Sequence, residues 1–368
     1  DFGFVMSAIS LDLEGADMSM QDNGYNWFSA SDELSSRNAN YANPYVRYVI
    51  PYTSLGIAND IINAFPADTK DAEAINMIAQ AKTIRAFDYL SLAPYFQGSY
   101  QTSKDKPCVP LLDGKNDYTN NPRATVAEVY TAIIDDLSYA IDNLTDARED
   151  KSRINKSVAL GLRARAYLYM GEYAKALVDA EAAMKGYTPA SLADVSVPGF
   201  DDSSASNWMW TYDLTDDQVA SAAASYATAA SWMSAFCGQG YAVATGNVPM
   251  INKLLYDKIP ATDVRKGWWL DENLHSPLLA NLEWKDSKGN VLAKGDAIAP
   301  LKIKDVKEPL VAYANVKFGM KSGVGSSKNN NSWPLMRVEE MILIEAECLA
   351  QTGNEAKAKE VLANFVKT

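Results

Sequence analysis

Two distant stretches of the sequence share one helix–turn–helix pattern, which constrains the fold more than any other feature. Residues 164–176 (ARAYLYMGEYAKA) and 346–358 (AECLAQTGNEAKA) align on Gly171 and Gly353. In each, an alanine-rich helix precedes a glycine, a residue that readily adopts the positive φ that ends a helix. A second helix then opens with Ala-Lys-Ala. Because small residues at facing positions let helices approach closely, the pattern predicts two antiparallel helix pairs.

Other segments around these pairs also carry helical signals. Thr125 and Glu128 fit a capping box at a helix start, and Asn155 fits the N-cap of the next helix. One apolar stripe at helical spacing follows the first cap: Val129, Ile133, Leu137, Ile141 and Leu144. Helix pairs of this kind are typical of tetratricopeptide repeats (TPR). The predicted fold is therefore mostly α, with TPR-like pairs forming a right-handed helical scaffold over about residues 40–185 and 333–368.

The segment between these helical parts has a different character. Over about residues 186–332 the helical stripes weaken, Gly, Ser, Asn and Asp become frequent, and six of the eight tryptophans occur. Alternation at Trp208 and Trp210 predicts a strand, and residues 285–293 are typical of a hairpin. We therefore expect an irregular lobe of loops and short strands, inserted between repeats within one structural unit that spans 1–368.

Composition excludes several classes of function. The net charge is −12, so the chain repels nucleic-acid phosphates, and it contains neither G-x-G-x-x-G nor G-x-x-x-x-G-K. No apolar run approaches the 18 residues of a membrane-spanning helix. Three widely spaced cysteines form neither a disulfide framework nor a zinc motif. The chain begins at Asp1 rather than Met, which we interpret as a mature or trimmed form.

The sequence contains few candidate catalytic residues. The single histidine, His275, has no nucleophile motif beside it, and we expect it to be a solvated loop residue. Adjacent carboxylates (Asp135/Asp136, Asp216/Asp217 and Glu339/Glu340) point in different directions on a helix or strand, and we expect the first and last pairs to lie on solvated helix faces. We therefore predict no catalytic residue, no metal site and no cofactor.

The abundant aromatic residues favour carbohydrate binding instead. A ring plane covers the apolar face of a sugar, while neighbouring polar groups bond its hydroxyls. Most tyrosines lie in the predicted repeat helices and are expected in the core, and we expect Trp333 to begin a helix. The candidate binding residues lie mainly in polar, irregular surroundings: Tyr25, Trp27, Arg37, Asn38, Trp208, Trp268, Trp269 and Trp284. Since a strand would point Trp268 and Trp269 in opposite directions, one of this pair should face solvent.

Several motifs, in this order along the chain, resemble those of the SusD/RagB family of outer-membrane nutrient-uptake lipoproteins. They are Ala58-Asn59, the 81–90 segment AKTIRAFDYL, Pro107 to Leu111, the 125–130 segment TVAEVY, Asp263-Val-Arg265, and Pro334 to Glu340. The resemblance implies non-catalytic binding of oligosaccharide or polysaccharide at the outer-membrane surface. It also implies delivery to a SusC-like TonB-dependent transporter. Anchoring through a lipid, on the extracellular side, is implied by the family alone, and such an anchor would lie outside this sequence.

Two other functional classes remain open at this stage. One is a helical glycoside hydrolase that brings two remote carboxylates together. The other is a TPR-type adaptor that binds a peptide, or a transport lid of the same family that captures peptides rather than glycans. The identity of the glycan does not follow from the sequence.

Overall fold

The structure, a computed structural model, describes residues 3–20, 28, 31, 33–35, 38, 40, 42–115, 119–221, 228–238, 248–286, 288–299 and 310–367. Its α-helices are α1 (Gly3–Leu13), α2 (Ala42–Asn63), α3 (Ala72–Phe96), α4 (Tyr100–Ser103), α5 (Val126–Asn143), α6 (Lys156–Met170), α7 (Tyr173–Ala183), α8 (Leu192–Val195), α9 (Ala229–Met233), α10 (Lys253–Lys258), α11 (Val338–Gln351) and α12 (Glu355–Lys367). Its strands are β1 (Met18–Ser19), β2 (Trp208–Tyr212), β3 (Met250–Ile251), β4 (Glu283–Lys285), β5 (Val291–Lys294) and β6 (Trp333–Arg337). Short 3-10 helices cover Val264–Trp268, Pro277–Leu279 and Gly295–Ile298. The mostly α prediction is confirmed.

The chain divides into two compact units. The helical unit comprises Arg47–Pro189, Ser206–Thr211 and Leu335–Thr368. The mixed unit comprises Asp1–Val46, Ala190–Ala205 and Tyr212–Pro334. It holds most of the short strands and the three 3-10 helices named above.

The helical unit contains two glycine-turned helix pairs. Gly171 ends α6 with φ of 75°, and Gly353 follows α11 with φ of 85°, so both glycines have the predicted left-handed backbone. Helix α6 packs on α7, α11 packs on α12, and α7 also packs on α11. The two pairs are therefore neighbours in space although they are far apart in sequence, and the predicted TPR-like pairs are confirmed.

Helices α3, α5 and α6 of the helical unit pack on one another in that order. The predicted capping box opens α5: the Glu128 backbone N–H donates to Thr125 Oγ1 at 3.2 Å, and the Thr125 N–H donates to Glu128 Oε2 at 2.7 Å. Asn155 caps α6, as predicted, by accepting from the Val158 N–H at 3.0 Å. The apolar stripe of α5 is buried in the main hydrophobic core.

A charged cluster joins three helices of this unit. Asp136 of α5 accepts from Lys82 Nζ at 2.7 Å and from Arg85 Nε at 2.7 Å, both on α3. Arg85 Nη1 also donates to Asn59 Oδ1 of α2 at 2.8 Å. Asp136 is only 4% exposed, so its placement on a solvated helix face was wrong. Glu339 is likewise buried and accepts from Asn207 Nδ2 at 2.7 Å.

The mixed unit relies on loops, short strand pairs and a second hydrophobic core. Strand β1 pairs antiparallel with β3, and β4 pairs antiparallel with β5, with Trp284 opposite Ala293. The β4–β5 pair is the predicted hairpin, and Gly289 (φ 85°) lies in its turn.

Strands β2 and β6 confirm one sequence prediction and show that another, the helix start at Trp333, was wrong. Strand β2 forms where the aromatic alternation predicted a strand, and it pairs with β6. Trp333 begins β6 rather than a helix, and its ring stacks on Phe318 with centroids 5.9 Å apart. The helix that follows begins only at Val338.

Candidate functional site

A cleft of about 560 Å³ opens within the mixed unit, and we call it the lobe cleft. Its lining combines two aromatic side chains with carboxylates, a lysine and the histidine. The aromatic, charged and polar residues of this lining include Tyr256, Asp263, Lys266, Trp269, Asp271, His275, Ser276 and Asp296. A concave surface with apolar rings and a few converging polar groups is what a small-ligand site requires.

Trp269 is held in the lobe cleft by the backbone on both sides of it. It follows the 3-10 helix Val264–Trp268 in an extended conformation and forms a bridge with Asn315. The next residue, Leu270, exchanges two backbone hydrogen bonds of 3.0 Å with the 313–314 segment. The half-buried indole is therefore carried on fixed backbone.

A tight polar turn presents His275 to the cleft. Asp271 Oδ1 accepts from the backbone N–H groups of Asn273 at 2.8 Å and His275 at 2.9 Å. Leu274 inside the turn has φ of 64°. His275 Nδ1 lies 3.1 Å from Asp296 Oδ2, and its side chain is 59% exposed. The imidazole is therefore oriented by a carboxylate that comes from another segment of the chain.

Close packing fixes this turn to the preceding 3-10 helix. Ser276 Oγ donates to the Gly267 carbonyl, and the Ser276 N–H donates to Asp296 Oδ1 at 3.1 Å. A Cβ added at Gly267 would lie 2.7 Å from Leu278 Cδ1 and 2.9 Å from Pro277 Cγ. A side chain at this position would therefore force Pro277 or Leu278 to move, which makes glycine the residue that suits the close packing of the two segments.

The lining also includes a lysine and a tyrosine. Lys266 Nζ lies 4.8 Å from the ring centroid of Tyr256 and donates to the Ile259 carbonyl at 2.9 Å. Burial raises the pKa of the Tyr256 hydroxyl, so it stays protonated at neutral pH. Hydrogen bonding from the Arg265 guanidinium lowers the pKa of Asp263, with Arg265 Nη2 and Asp263 Oδ2 2.6 Å apart.

The two adjacent tryptophans have different surroundings. Trp269 lines the lobe cleft, whereas Trp268 donates its indole N–H to the Val195 carbonyl at 2.9 Å. The Trp268 ring also lies beneath Lys317 Nζ, 4.5 Å from its centroid. Both rings are partly exposed, but only Trp269 lies among the polar groups of the cleft.

The remaining described candidates do not line the lobe cleft. Trp208 is 1% exposed, so its ring has no open face for a sugar and its candidacy was wrong. Trp284 is half-buried against the second hydrophobic core. Asn38 is exposed and accepts from the Asn40 N–H at 3.1 Å. Three further candidates lie outside the described residues: Tyr25, Trp27 and Arg37.

Sequence reasoning missed most of the cleft. His275 was expected to be simply solvated, and Tyr256, Lys266, Asp271 and Asp296 were not considered. The one local signal was the Asp271-to-His275 spacing, since an aspartate often closes a polar turn through its own carboxylate. The pairing with Asp296 joins segments whose proximity depends on the tertiary fold.

Two of the carboxylates considered for a hydrolase accept hydrogen bonds from other side chains. Glu340 Oε1 and Oε2 accept from Arg165 Nε and Nη2 at 2.6 and 2.7 Å. Asp216 accepts from Lys328 and Asn330 in an exposed loop. No group of three or more His, Cys, Asp or Glu side chains suited to a metal ion occurs in the described ranges.

Comparison with known proteins identifies the family of this chain. A family profile described as "Starch-binding associating with outer membrane" (SusD-like) matches residues 7–168, and a second, described as "SusD family", matches residues 304–366. The chain belongs to the SusD/RagB family. As far as the structure describes the chain, no helix has the length and apolarity needed to cross a bilayer.

Individual relatives extend the comparison. A SusD-like protein of Bacteroides ovatus is 30% identical over 123 residues, which is 32% of this chain and 21% of that protein. A SusD-like carbohydrate-binding protein of Bacteroides vulgatus superimposes with a TM-score of 0.73 at 20% identity, over 98% of this chain and 68% of that one. A laminarin-binding SusD-like protein gives a TM-score of 0.67 at 16% identity, over 99% and 80%. These structural likenesses establish the shared fold.

Proposed function

We propose that this chain binds oligosaccharide or polysaccharide without cleaving it, and that the lobe cleft takes part in binding. The observation that carries this proposal is the position of Trp269 among hydrogen-bonding groups on fixed backbone. A sugar ring stacked on the indole would place its hydroxyls near Asp271 and His275. The family's carbohydrate-associated description and the laminarin-binding relative support the same ligand class.

The partners of the lining carboxylates support binding rather than hydrolysis. A glycosidase needs one carboxyl group with a raised pKa to protonate the leaving oxygen. Asp263 has a lowered pKa because Arg265 holds it ionised. Asp271 and Asp296 are occupied by the backbone N–H groups and the imidazole that they orient.

A glycan screen with matched variants tests this proposal. Covering roughly 100 Å² of ring at about 25 cal/mol/Å² contributes about 2.5 kcal/mol before the cost of immobilisation. Trp269→Ala should therefore weaken binding to a captured glycan at least about tenfold. Tyr212→Ala, which removes an exposed aromatic ring away from the cleft, is the control and should bind like wild type.

Two results decide between the alternatives. Unchanged binding by Trp269→Ala would remove the lobe cleft from the proposal, and a parallel Trp27→Ala variant then tests the N-terminal candidate. Shortening of the glycan during incubation, detected as new reducing ends, would instead favour the hydrolase.

We further propose that the chain delivers its glycan to a SusC-like TonB-dependent transporter at the outside of the outer membrane, where a lipid would anchor it. Membership of the family supports this step. The test is affinity capture of solubilised outer-membrane proteins by the immobilised chain, with mass spectrometry. Enrichment of a TonB-dependent transporter over a control column is expected, and its absence at all salt concentrations tried would contradict delivery.

A further inference from the structure

Tyr313 has a backbone conformation that bulky residues rarely adopt. Its φ is 69°, in the left-handed region, where a Cβ crowds the following carbonyl oxygen. Glycine and asparagine enter this region readily, whereas an aromatic residue there is an outlier. Such outliers persist only where the surrounding structure holds them, and they concentrate at binding sites. The strain at Tyr313 therefore indicates a role for its ring that a glycine would not supply.

Backbone hydrogen bonds on both sides hold Tyr313 in this conformation. Its N–H donates to the Leu270 carbonyl at 3.0 Å, and its own carbonyl accepts from the Ile251 N–H at 3.1 Å. Leu270 lies between Trp269 and Asp271, which both line the lobe cleft. Tyr313 is therefore fixed to the same backbone segment that carries Trp269.

The Tyr313 ring extends the aromatic surface of the lobe cleft. It lies edge-to-face against the ring of Tyr256, with centroids 5.2 Å apart, and Tyr256 lines the cleft. Both rings are partly exposed. We call these two residues the tyrosine pair. The pair forms one aromatic surface that begins in the cleft and continues beyond the residues that line it.

Polar groups that suit hydroxyls lie beside the tyrosine pair. Lys253 Nζ lies 5.8 Å from the Tyr313 ring centroid and 2.6 Å from Asp257 Oδ2. Both side chains of this ion pair are about half exposed, at 56% and 51%. Because an ammonium donates hydrogen bonds and a carboxylate accepts them, the two groups can bond a hydroxyl in either direction. An exposed ring beside such groups is a surface on which a sugar can stack.

We propose that the tyrosine pair is a second sugar-binding position beside Trp269, so that the lobe cleft takes oligosaccharides of several units and binds single sugars only weakly. The proposal rests on the proposed glycan-binding function of this cleft. A single sugar can cover the Trp269 indole alone, and one such contact barely offsets the cost of immobilising the ligand. A longer chain can cover the indole and the tyrosine pair together. Its second contact raises the affinity because it forms within a ligand that is already held.

A mixed pool of oligosaccharides tests this proposal. The pool contains partial hydrolysates of laminarin, starch and galactomannan, from single sugars to long chains. Frontal affinity chromatography on the immobilised protein, with mass detection, reports a dissociation constant for every chain length in one experiment. Wild-type protein should bind the long chains of at least one glycan at least about tenfold more tightly than the corresponding single sugar.

Two substitutions at Tyr313 assign this length dependence to the ring. Tyr313→Asn removes the ring and keeps a residue that tolerates positive φ, whereas Tyr313→Phe keeps the ring. Tyr313→Asn should weaken the binding of long chains at least about fivefold and that of single sugars far less. Tyr313→Phe should retain most of the length dependence, and Trp269→Ala should weaken binding at every length. Near-UV circular dichroism checks that each variant is folded, and the length dependence of the wild type needs no variant.

Each possible outcome has a distinct meaning. Equal affinity of the wild type for all chain lengths, or a Tyr313→Asn loss that is the same for single sugars and long chains, would overturn this inference and leave glycan binding at Trp269 intact. Equal losses in Tyr313→Asn and Tyr313→Phe would show that the ring is not the cause, and would overturn it too. Failure of the whole pool to bind would refute glycan binding itself for these ligands, and this inference with it.

Discussion

The charged cluster around Asp136 should be essential to the helical unit. Its carboxylate bonds Lys82 and Arg85 of α3, and Arg85 continues to Asn59 of α2. Asp136→Asn keeps the shape of the side chain but removes its charge. Two cations would then face a neutral amide at the packed junction of three helices.

The magnitude follows from burial. Removing one partner of a buried ion pair typically costs about 3–5 kcal/mol, because the remaining charge is left uncompensated. Here Lys82 and Arg85 keep 21% and 15% of their side-chain surface exposed, so water relieves part of the loss. We expect about 3 kcal/mol, which for a unit of about this size lowers Tm by about 6–12 °C.

Urea denaturation provides the assay, and the same helix provides the control. Asp135 precedes Asp136 but is exposed, so Asp135→Asn removes the same formal charge without breaking the cluster. Asp135→Asn should stay within about 0.5 kcal/mol of wild type. If Asp136→Asn proved no less stable than Asp135→Asn, our reasoning about the cluster would be wrong.

Three further substitutions test local features. Gly353→Ala should destabilise the protein by about 1–2 kcal/mol through backbone strain alone, because φ at this position is 85° and no atom lies near the added methyl group. An unchanged urea midpoint would contradict this expectation. Thr125→Ala should lose about 1 kcal/mol with its cap, whereas Thr125→Ser should retain most of it; equal losses would show that the capping hydroxyl is not the cause. Burial raises the pKa of Asp88 well above its usual value, so its charge opposes folding increasingly as the pH rises above about 4. Asp88→Asn should therefore be more stable than wild type at pH 7, with the difference shrinking towards pH 4; a constant difference across urea titrations at several pH values would refute this assignment.

The helical unit could be predicted from the sequence largely because its signals are local. Glycines at the ends of α6 and α11, the capping box at Thr125 and the cap at Asn155 act within a few residues of their own position. The burial of Asp136 was missed for the opposite reason. Its environment depends on cations from α3, more than fifty residues earlier in the chain.

The lobe cleft was predictable only in part. The sequence around Trp268 and Trp269 indicated that one of the two faces solvent, but neither pattern nor spacing distinguished between them. The Val195 carbonyl accepts a hydrogen bond from the Trp268 indole, whereas the backbone of Trp269 forms a bridge with Asn315. Which tryptophan lines the cleft is decided by contacts between residues far apart in the sequence, and such contacts produce no periodic sequence pattern.

The ion pair between Arg165 and Glu340 closes a loop of 175 residues. Most of the mixed unit is encoded inside that loop, so the final helix pair can join the core only after the intervening segment has been synthesised. Contacts of such long sequence separation slow folding, although the entropy of closing a long loop grows only slowly with its length. During translation, α6 and α7 are therefore synthesised before α11, and the surface that packs on α11 stays uncovered until that helix has been made.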